Sequence, residues 1–193
     1  MVRKRVIAAL GLSAAAFALP AAAQTSMSNF YVGATLGQST AQDACNDLAG
    51  TGISCDDSDT AFKIFGGYQI NRNFAAELGY ADLGKAKADA AGLTAEIKSS
   101  AWDLSLIGSY PINEQFSIFG RLGVYMADTK ADTNFGINES HSNNDLTYGF
   151  GARYDVTQNL GLRAEWQRYS QVGGGDIGKS DVDVLGVTAL WKF

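Results

Sequence analysis

Seven charged residues stand in alternating stretches on the face otherwise left to small or polar side chains: Lys63, Glu77, Asp103, Arg121, Arg153, Arg163 and Glu165. Acids and bases enclosed together have one ready chemistry, which is to pair, because a buried charge without a partner is costly. Glu77, Arg121, Arg163 and Glu165 are expected to form the centre of that network. A static plug of fixed ion pairs is the first expectation for such a cluster; a working ion gate is the second.

Other chemistry-bearing groups carry less. Gly173 to Ser180, GGGDIGKS, matches the letters of a phosphate-binding loop. That motif needs a strand before it and a helix after it, whereas a strand-like stretch follows here, so a glycine-rich turn accounts for it. His141, the only histidine, adjoins Ser142. On a strand, adjacent side chains point to opposite faces, which separates a base from its nucleophile. The acidic run Asp56-Asp57-Ser58-Asp59 lacks the glycine and terminal glutamate of a calcium loop. Cys45 and Cys55 are the two cysteines, and they share one polar segment. A local disulfide is expected in an oxidising compartment, and a metal site would want more ligands than cluster there. No cofactor and no catalytic residue is expected.

The elements that must position the charges are strands. The last stretch, Val182 to Phe193, puts Leu185, Val187, Ala189, Trp191 and Phe193 on one face and Gly186, Thr188 and Lys192 on the other. Seven earlier stretches alternate in the same way, beginning near Phe30, Phe62, Phe74, Trp102, Phe116, Leu146 and Leu160. Period-two alternation marks a strand between two unlike environments. Three connections are short, at Asn71–Asn73, Pro111–Gln115 and Thr157–Asn159. The other four, about residues 38–60, 84–99, 128–144 and 171–181, read as long and polar. Short turns at one end and long loops at the other are what an up-and-down membrane barrel shows.

The aromatics decide which face is outside. Tyr68, Phe74, Tyr110, Phe116, Tyr154 and Phe193 of the apolar faces lie next to short turns or the end of the chain. Phe62, Tyr80, Trp102, Tyr148 and Trp166 lie six to eight residues away on those faces. That spacing is roughly 15–20 Å along a tilted strand, close to the apolar band between two aromatic girdles. A sandwich core has no reason to sort its aromatics into two rings. The expected fold is therefore all-β: an eight-stranded antiparallel up-and-down transmembrane β-barrel, closed because hydrocarbon cannot satisfy an open sheet edge. Lys98, Lys130 and Arg168 continue the lipid-facing phase just past the upper ring, where basic groups could meet lipopolysaccharide phosphates.

The chain of 193 residues suits one such domain. Arg3, Lys4 and Arg5, the apolar run Val6 to Leu19 and Ala21-Ala22-Ala23 form the pattern of a cleaved signal peptide over residues 1–23, leaving a barrel domain at 24–193. Without those three bases the formal charge falls from −5 to −8, with 12 basic and 20 acidic residues remaining. Such acidity argues against nucleic acid as a partner.

FGGYQIN (65–71), ELGYADLG (77–84), SYPI (109–112), RLGVYMADTKAD (121–132), RAEWQ (163–167) and the ending LGV to F (185–193) resemble, in order, the transmembrane domain of the OmpA family. The resemblance implies an outer-membrane barrel of a Gram-negative bacterium with both mature termini in the periplasm. It implies a role in envelope integrity and surface interaction, through four extracellular loops that meet host or phage surfaces. Trp191 and Phe193 resemble the signal read by the barrel-assembly machinery. The implied partners are outer-membrane lipid and lipopolysaccharide, and the implied state is a monomer. Many members carry a peptidoglycan-binding domain, which is not expected here. The family's proposed ion gate is matched at Glu77 and Arg163. Ile107 stands where a lysine is usual and Arg153 where an acid is usual, which suggests Arg153 as the partner of Glu77. Alternative functions are a lipid A-modifying enzyme and a narrow ion pore.

Overall fold

The computed structural model describes residues 29–42, 54–90, 93–133, 138–173 and 179–193. The leader expected over 1–23 and Cys45 lie outside them. The strands are β1 (Phe30–Ala41), β2 (Ser54–Asp56), β3 (Ser58–Gln69), β4 (Phe74–Ala90), β5 (Leu93–Pro111), β6 (Phe116–Thr133), β7 (Asn138–Asp155), β8 (Leu160–Gly173) and β9 (Lys179–Lys192). Strand β2 is a three-residue piece that continues the line of β3 on the edge of β4. The other eight close in sequence order, each antiparallel to its neighbours, with β9 returning to β1. Closure pairs every ladder on both sides, which is the condition for a sheet in hydrocarbon.

The two faces are divided as the alternation requires. Leu122, Phe150 and Leu185 are more than 60% exposed, while Glu77 and Arg163 keep 1% and 3% of their surface. In water such an apolar exterior would aggregate; against lipid it is the solvated side. Neighbouring strands stack aromatics on that exterior, with ring centroids 4.9 Å apart for Phe30–Tyr68 near the short turns and 5.1 Å for Tyr80–Trp102 at the far ring.

The three short turns use one device, which the sequence repeats. Asn71 Oδ1 accepts from the amides of Asn73 and Phe74, both at 2.9 Å. Asn113 Oδ1 accepts from Gln115 at 2.9 Å and Phe116 at 2.7 Å. Thr157 Oγ1 accepts from Asn159 at 3.3 Å and Leu160 at 2.9 Å. In each turn the aliphatic residue before this side chain, Ile70, Ile112 or Val156, donates its amide at 2.9 Å to the carbonyl that opens the next strand. A side chain thus satisfies the amides that the tight reversal leaves over.

The far end differs from the sequence expectation. The segments read as long connections are in large part strand. The β4–β5 ladder runs on to the pair Ala90–Leu93, and β6–β7 to Asp132–Asn138. β1 reaches Ala41, and β8 and β9 pair as far as Gly173–Lys179. Apolar and polar residues do not alternate along these segments, so the period that reveals a strand disappears while the backbone ladder persists.

Candidate functional site

Strands β3, β4, β5, β6 and β8 bring six of the seven expected charges into one buried cluster. Glu77 on β4 is its hub. It accepts from Arg121 Nη2 at 2.7 Å, from Arg163 Nη2 at 3.0 Å and Nη1 at 3.3 Å, and from the Tyr31 hydroxyl at 2.7 Å. Arg121 Nε donates to Glu165, and its Nη1 reaches Asp103 at 3.5 Å. Lys63 Nζ donates to Asp103 Oδ1 at 2.9 Å and to Gln167 Oε1 at 3.1 Å. Arg163 Nη1 lies 3.8 Å from Glu165, completing three bases against three acids. Ser105 and Tyr169 add hydroxyl donors to Asp103 at 3.1 and 3.4 Å. Among the described residues Arg163 Nε has no hydrogen-bond partner, but its guanidinium lies over the rings of Phe119 at 4.6 Å and Phe65 at 5.5 Å, where the π faces offset part of that lack.

Arg153 does not join this cluster. It pairs with Asp155 at 2.9 Å near the short-turn mouth, where Lys192 meets the same carboxylate at 3.0 Å. Its pairing with Glu77, suggested by the departure from the family pattern, is corrected. Arg153 and Arg163 are Cα partners across β7 and β8. Two cations placed directly opposite repel, so one is held by the mouth and the other by Glu77. Ile107, at the position where a lysine is usual, is 2% exposed and fills an apolar layer with Tyr31, Phe65, Ala75 and Phe119.

That layer has a counterpart. At the far side of the ionic cluster, Ala81, Leu83, Ala101, Tyr125, Ala127, Tyr169, Val172 and Val182 form a second apolar layer. Tyr125 and Tyr169 meet edge to face at 5.3 Å within it, and the Tyr125 hydroxyl donates to the Ser170 carbonyl at 2.5 Å. The sequence reading missed this layering. Its signal was present in the inward phase of each strand: Ala75, Glu77, Gly79, Ala81 and Leu83 on β4, and Phe119, Arg121, Gly123, Tyr125 and Ala127 on β6.

Among the lipopolysaccharide candidates, Arg168 is held by Asp183 in a two-point contact, Nε–Oδ1 at 2.6 Å and Nη2–Oδ2 at 2.7 Å, with Asp181 at 3.5 Å. Lys98 is exposed on β5, and Lys130 occupies the register position opposite it on β6. Residues 141 and 142 lie on strand β7, not in a loop: His141 pairs with Thr129 and Ser142 with Asp128. The Ser142 hydroxyl donates to Asp128 Oδ1 at 2.7 Å, so its hydrogen is already committed. In the acidic run, Asp57 accepts from the Ser58 hydroxyl at 3.1 Å, and Asp59 accepts from the amides of Thr60 and Lys85 at 2.7 and 2.8 Å. Of the glycine-rich motif, Gly173 ends β8, Lys179 and Ser180 begin β9, and residues 174–178 lie outside the described residues. Phe193 N donates to the Phe30 carbonyl at 3.2 Å, which places Trp191 and Phe193 at the seam where the barrel closes.

The family model for the OmpA-like transmembrane domain matches residues 25–193. The chain belongs to that family. Outer membrane protein P5 of Haemophilus influenzae is 31% identical over 184 residues, spanning 88% of this chain and 52% of that protein. Outer membrane protein A of Salmonella typhi is 28% identical, spanning 98% and 55%. This OmpA-like chain thus spans about half the length of the curated relatives it matches. Among solved structures, Neisserial surface protein A superposes with a TM-score of 0.61 at 18% identity, covering 86% of this chain and 98% of that one. The superposition shows the same barrel fold. The OmpA-like assignment makes the protein an outer-membrane barrel, which accounts for the apolar exterior.

Proposed function

We propose that this OmpA-like barrel is a sealed, non-catalytic element of the outer membrane that anchors a set of extended surface hairpins. The observation that carries this is the layered bore. A neutral cluster of buried ion pairs is flanked by one apolar layer toward the short turns and another toward the long hairpins. An eight-stranded barrel is just wide enough for its side chains to fill it. An ion would have to pass two apolar layers and break pairs that hold each other in place.

In this reading the short turns and both ends of the barrel face the periplasm, where Phe30 and Phe193 meet. The hairpins β4–β5, β6–β7 and β8–β9 reach past the lipid and offer surface to lipopolysaccharide and to host or phage surfaces. The protein acts as a monomer, inserted by the barrel-assembly machinery through its Trp191 and Phe193 ending. Planar-bilayer recording of the refolded protein tests the seal. Silence at neutral and at low pH is expected; stepwise conductance would overturn it in favour of the narrow pore.

A further inference from the structure

One strand rises out of the barrel with a partner on one side only. β7 pairs with β6 along its whole length, from Asp132–Asn138 to Phe116–Tyr154. On its other side the ladder with β8 stops at Thr147–Tyr169. Among the described residues, Asn138 to Leu146 thus have no strand along their second edge. The cause lies in β8. Its register against β9 shifts between Tyr169 and Val172, around Gln171 at φ 56°. Left-handed backbone is uncommon for a residue other than glycine and persists only where its surroundings hold it. Here the Gln171 amide donates to Asp181 Oδ1 at 2.9 Å, and the Tyr125 hydroxyl donates to the Ser170 carbonyl at 2.5 Å. A bulge of this kind ends the pairing with the strand beside it. The Asn143 side chain spans the gap that results, its Nδ2 donating to the Gln171 carbonyl at 2.5 Å.

The phase of the open edge follows from the short-turn end of the same strand. The Asp155 amide donates to the Gln115 carbonyl on the β6 side, and the Val156 amide to the Leu160 carbonyl on the β8 side. Successive residues of an antiparallel strand turn their backbone groups to opposite neighbours, and β7 keeps one register against β6 throughout. The amides and carbonyls of Asn138, Ser140, Ser142 and Asn144 therefore point to the open edge. Leu146 points there too, but its amide is taken by Asp145 Oδ1 at 2.7 Å. Ser142 and Asn144 are exposed. Proteins blunt such edges with proline, lysine, a bulge or a cover. From Asn138 to Leu146 there is no proline, no lysine and no bulge against β6.

We propose that this edge takes up an extended, basic segment of another protein as an added strand. The outward backbone groups of Asn138, Ser140, Ser142 and Asn144 supply the pairing, as in other strand-addition complexes. The surroundings choose the charge. Residues 128–145 carry four acids, Asp128, Asp132, Glu139 and Asp145, against one base, Lys130, a formal −3. Asp181 stands on the far side of the gap, where it holds Gln171. A second copy of the chain would set −3 against −3. Inserted in the same membrane, its β7 would also run parallel to this one, which is the weaker pairing. The inference deepens the surface-interaction reading and rests on the membrane orientation given there, since the β6–β7 hairpin has to lie beyond the lipid.

Fluorescence anisotropy of the refolded barrel in zwitterionic detergent tests this with a labelled peptide of alternating threonine and lysine. Two comparison peptides are the same sequence N-methylated throughout, and one with glutamate in place of lysine. The wild type is expected to bind the threonine–lysine peptide about tenfold or more tighter than either. S140P/N144P deletes two outward amides and leaves the β6 ladder its donors, because proline is tolerated where a strand's N–H faces away from its partner. It is expected to bind roughly tenfold more weakly, the scale of two lost hydrogen bonds, while S140T/N144T binds as the wild type does. Equal binding of the N-methylated peptide would leave charge attraction alone and overturn the proposal. Unchanged binding by S140P/N144P, or no binding of the threonine–lysine peptide, would overturn it as well. Wild-type protein that sediments as a dimer, with S140P/N144P a monomer, would give the edge to a second copy instead. A heat-shifted gel band checks that each variant is folded. Folded protein that fails these tests sinks this site alone; protein that forms no heat-modifiable barrel sinks the membrane reading too.

Discussion

Three donors, two of them cationic, converge on the Glu77 carboxylate at 3.0 Å or less. Removing it leaves Arg163, among the described residues, with the 3.8 Å ion pair to Glu165 and its two ring contacts. Breaking a buried pair by deleting one partner costs about 3–5 kcal/mol. Glu77→Ala should therefore lower the unfolding free energy of the refolded barrel by that order, read from urea titration of the tryptophan fluorescence. E77L/R163M removes both charges together and should recover a good part of the loss, since two apolar residues leave no unpaired charge. A double variant as unstable as the single would mean that shape rather than charge is what Glu77 supplies. The sequence showed that Glu77 and Arg163 face inward, but not their partners. Arg153 has the same phase as Arg163 and was the plausible rival until its repulsion from Arg163 and its contact with Asp155 were visible.

The short turns carry the register of the whole sheet. Each fixes a hairpin through one side-chain oxygen that accepts two amides, at Asn71, Asn113 and Thr157. Losing that acceptor should cost about 1 kcal/mol per turn, as for other side-chain caps on backbone amides. The three acceptor oxygens share no hydrogen-bond partner, so N71A, N113A and T157A should be nearly additive in the urea midpoint. Markedly cooperative loss would mean that the turns communicate through the ladders. Serine at each position should restore most of the loss. The repeated pattern, an aliphatic residue, then Asn or Thr, two polar residues and Phe or Leu, was legible in retrospect. The hairpin extensions at the other end were not, because polar side chains on both faces remove the period on which strand recognition depends.

At the scale of the whole molecule, the seal is a property of layers rather than of any one residue. Tyr125 and Tyr169 meet edge to face at 5.3 Å in the layer toward the long hairpins. Replacing both by alanine opens the space of two aromatic rings above Asp103, and that space borders polar groups that water can join. Y125A/Y169A should show small, cation-selective conductance steps in planar bilayers if the second layer also yields, with either single variant silent. Steps in wild-type protein under the same conditions would show that the layers never sealed it. Complete silence of the double variant would assign the barrier to the ionic cluster and the layer around Phe119.

The sequence by itself determined the strand count, the apolar exterior and the inward set of charges. Those follow from a period of two and from the placement of aromatics, both written locally along the chain. Only the tertiary structure decided which charges meet. Closure at the β1–β9 seam sets the tilt and stagger of the strands, and that stagger brings β4 level with β6 and β8 across the bore. The same holds for Lys85. One extra residue at Gly84 reversed the face that simple alternation assigns to it, and a backbone irregularity of that kind appears only when the neighbouring strand fixes the register.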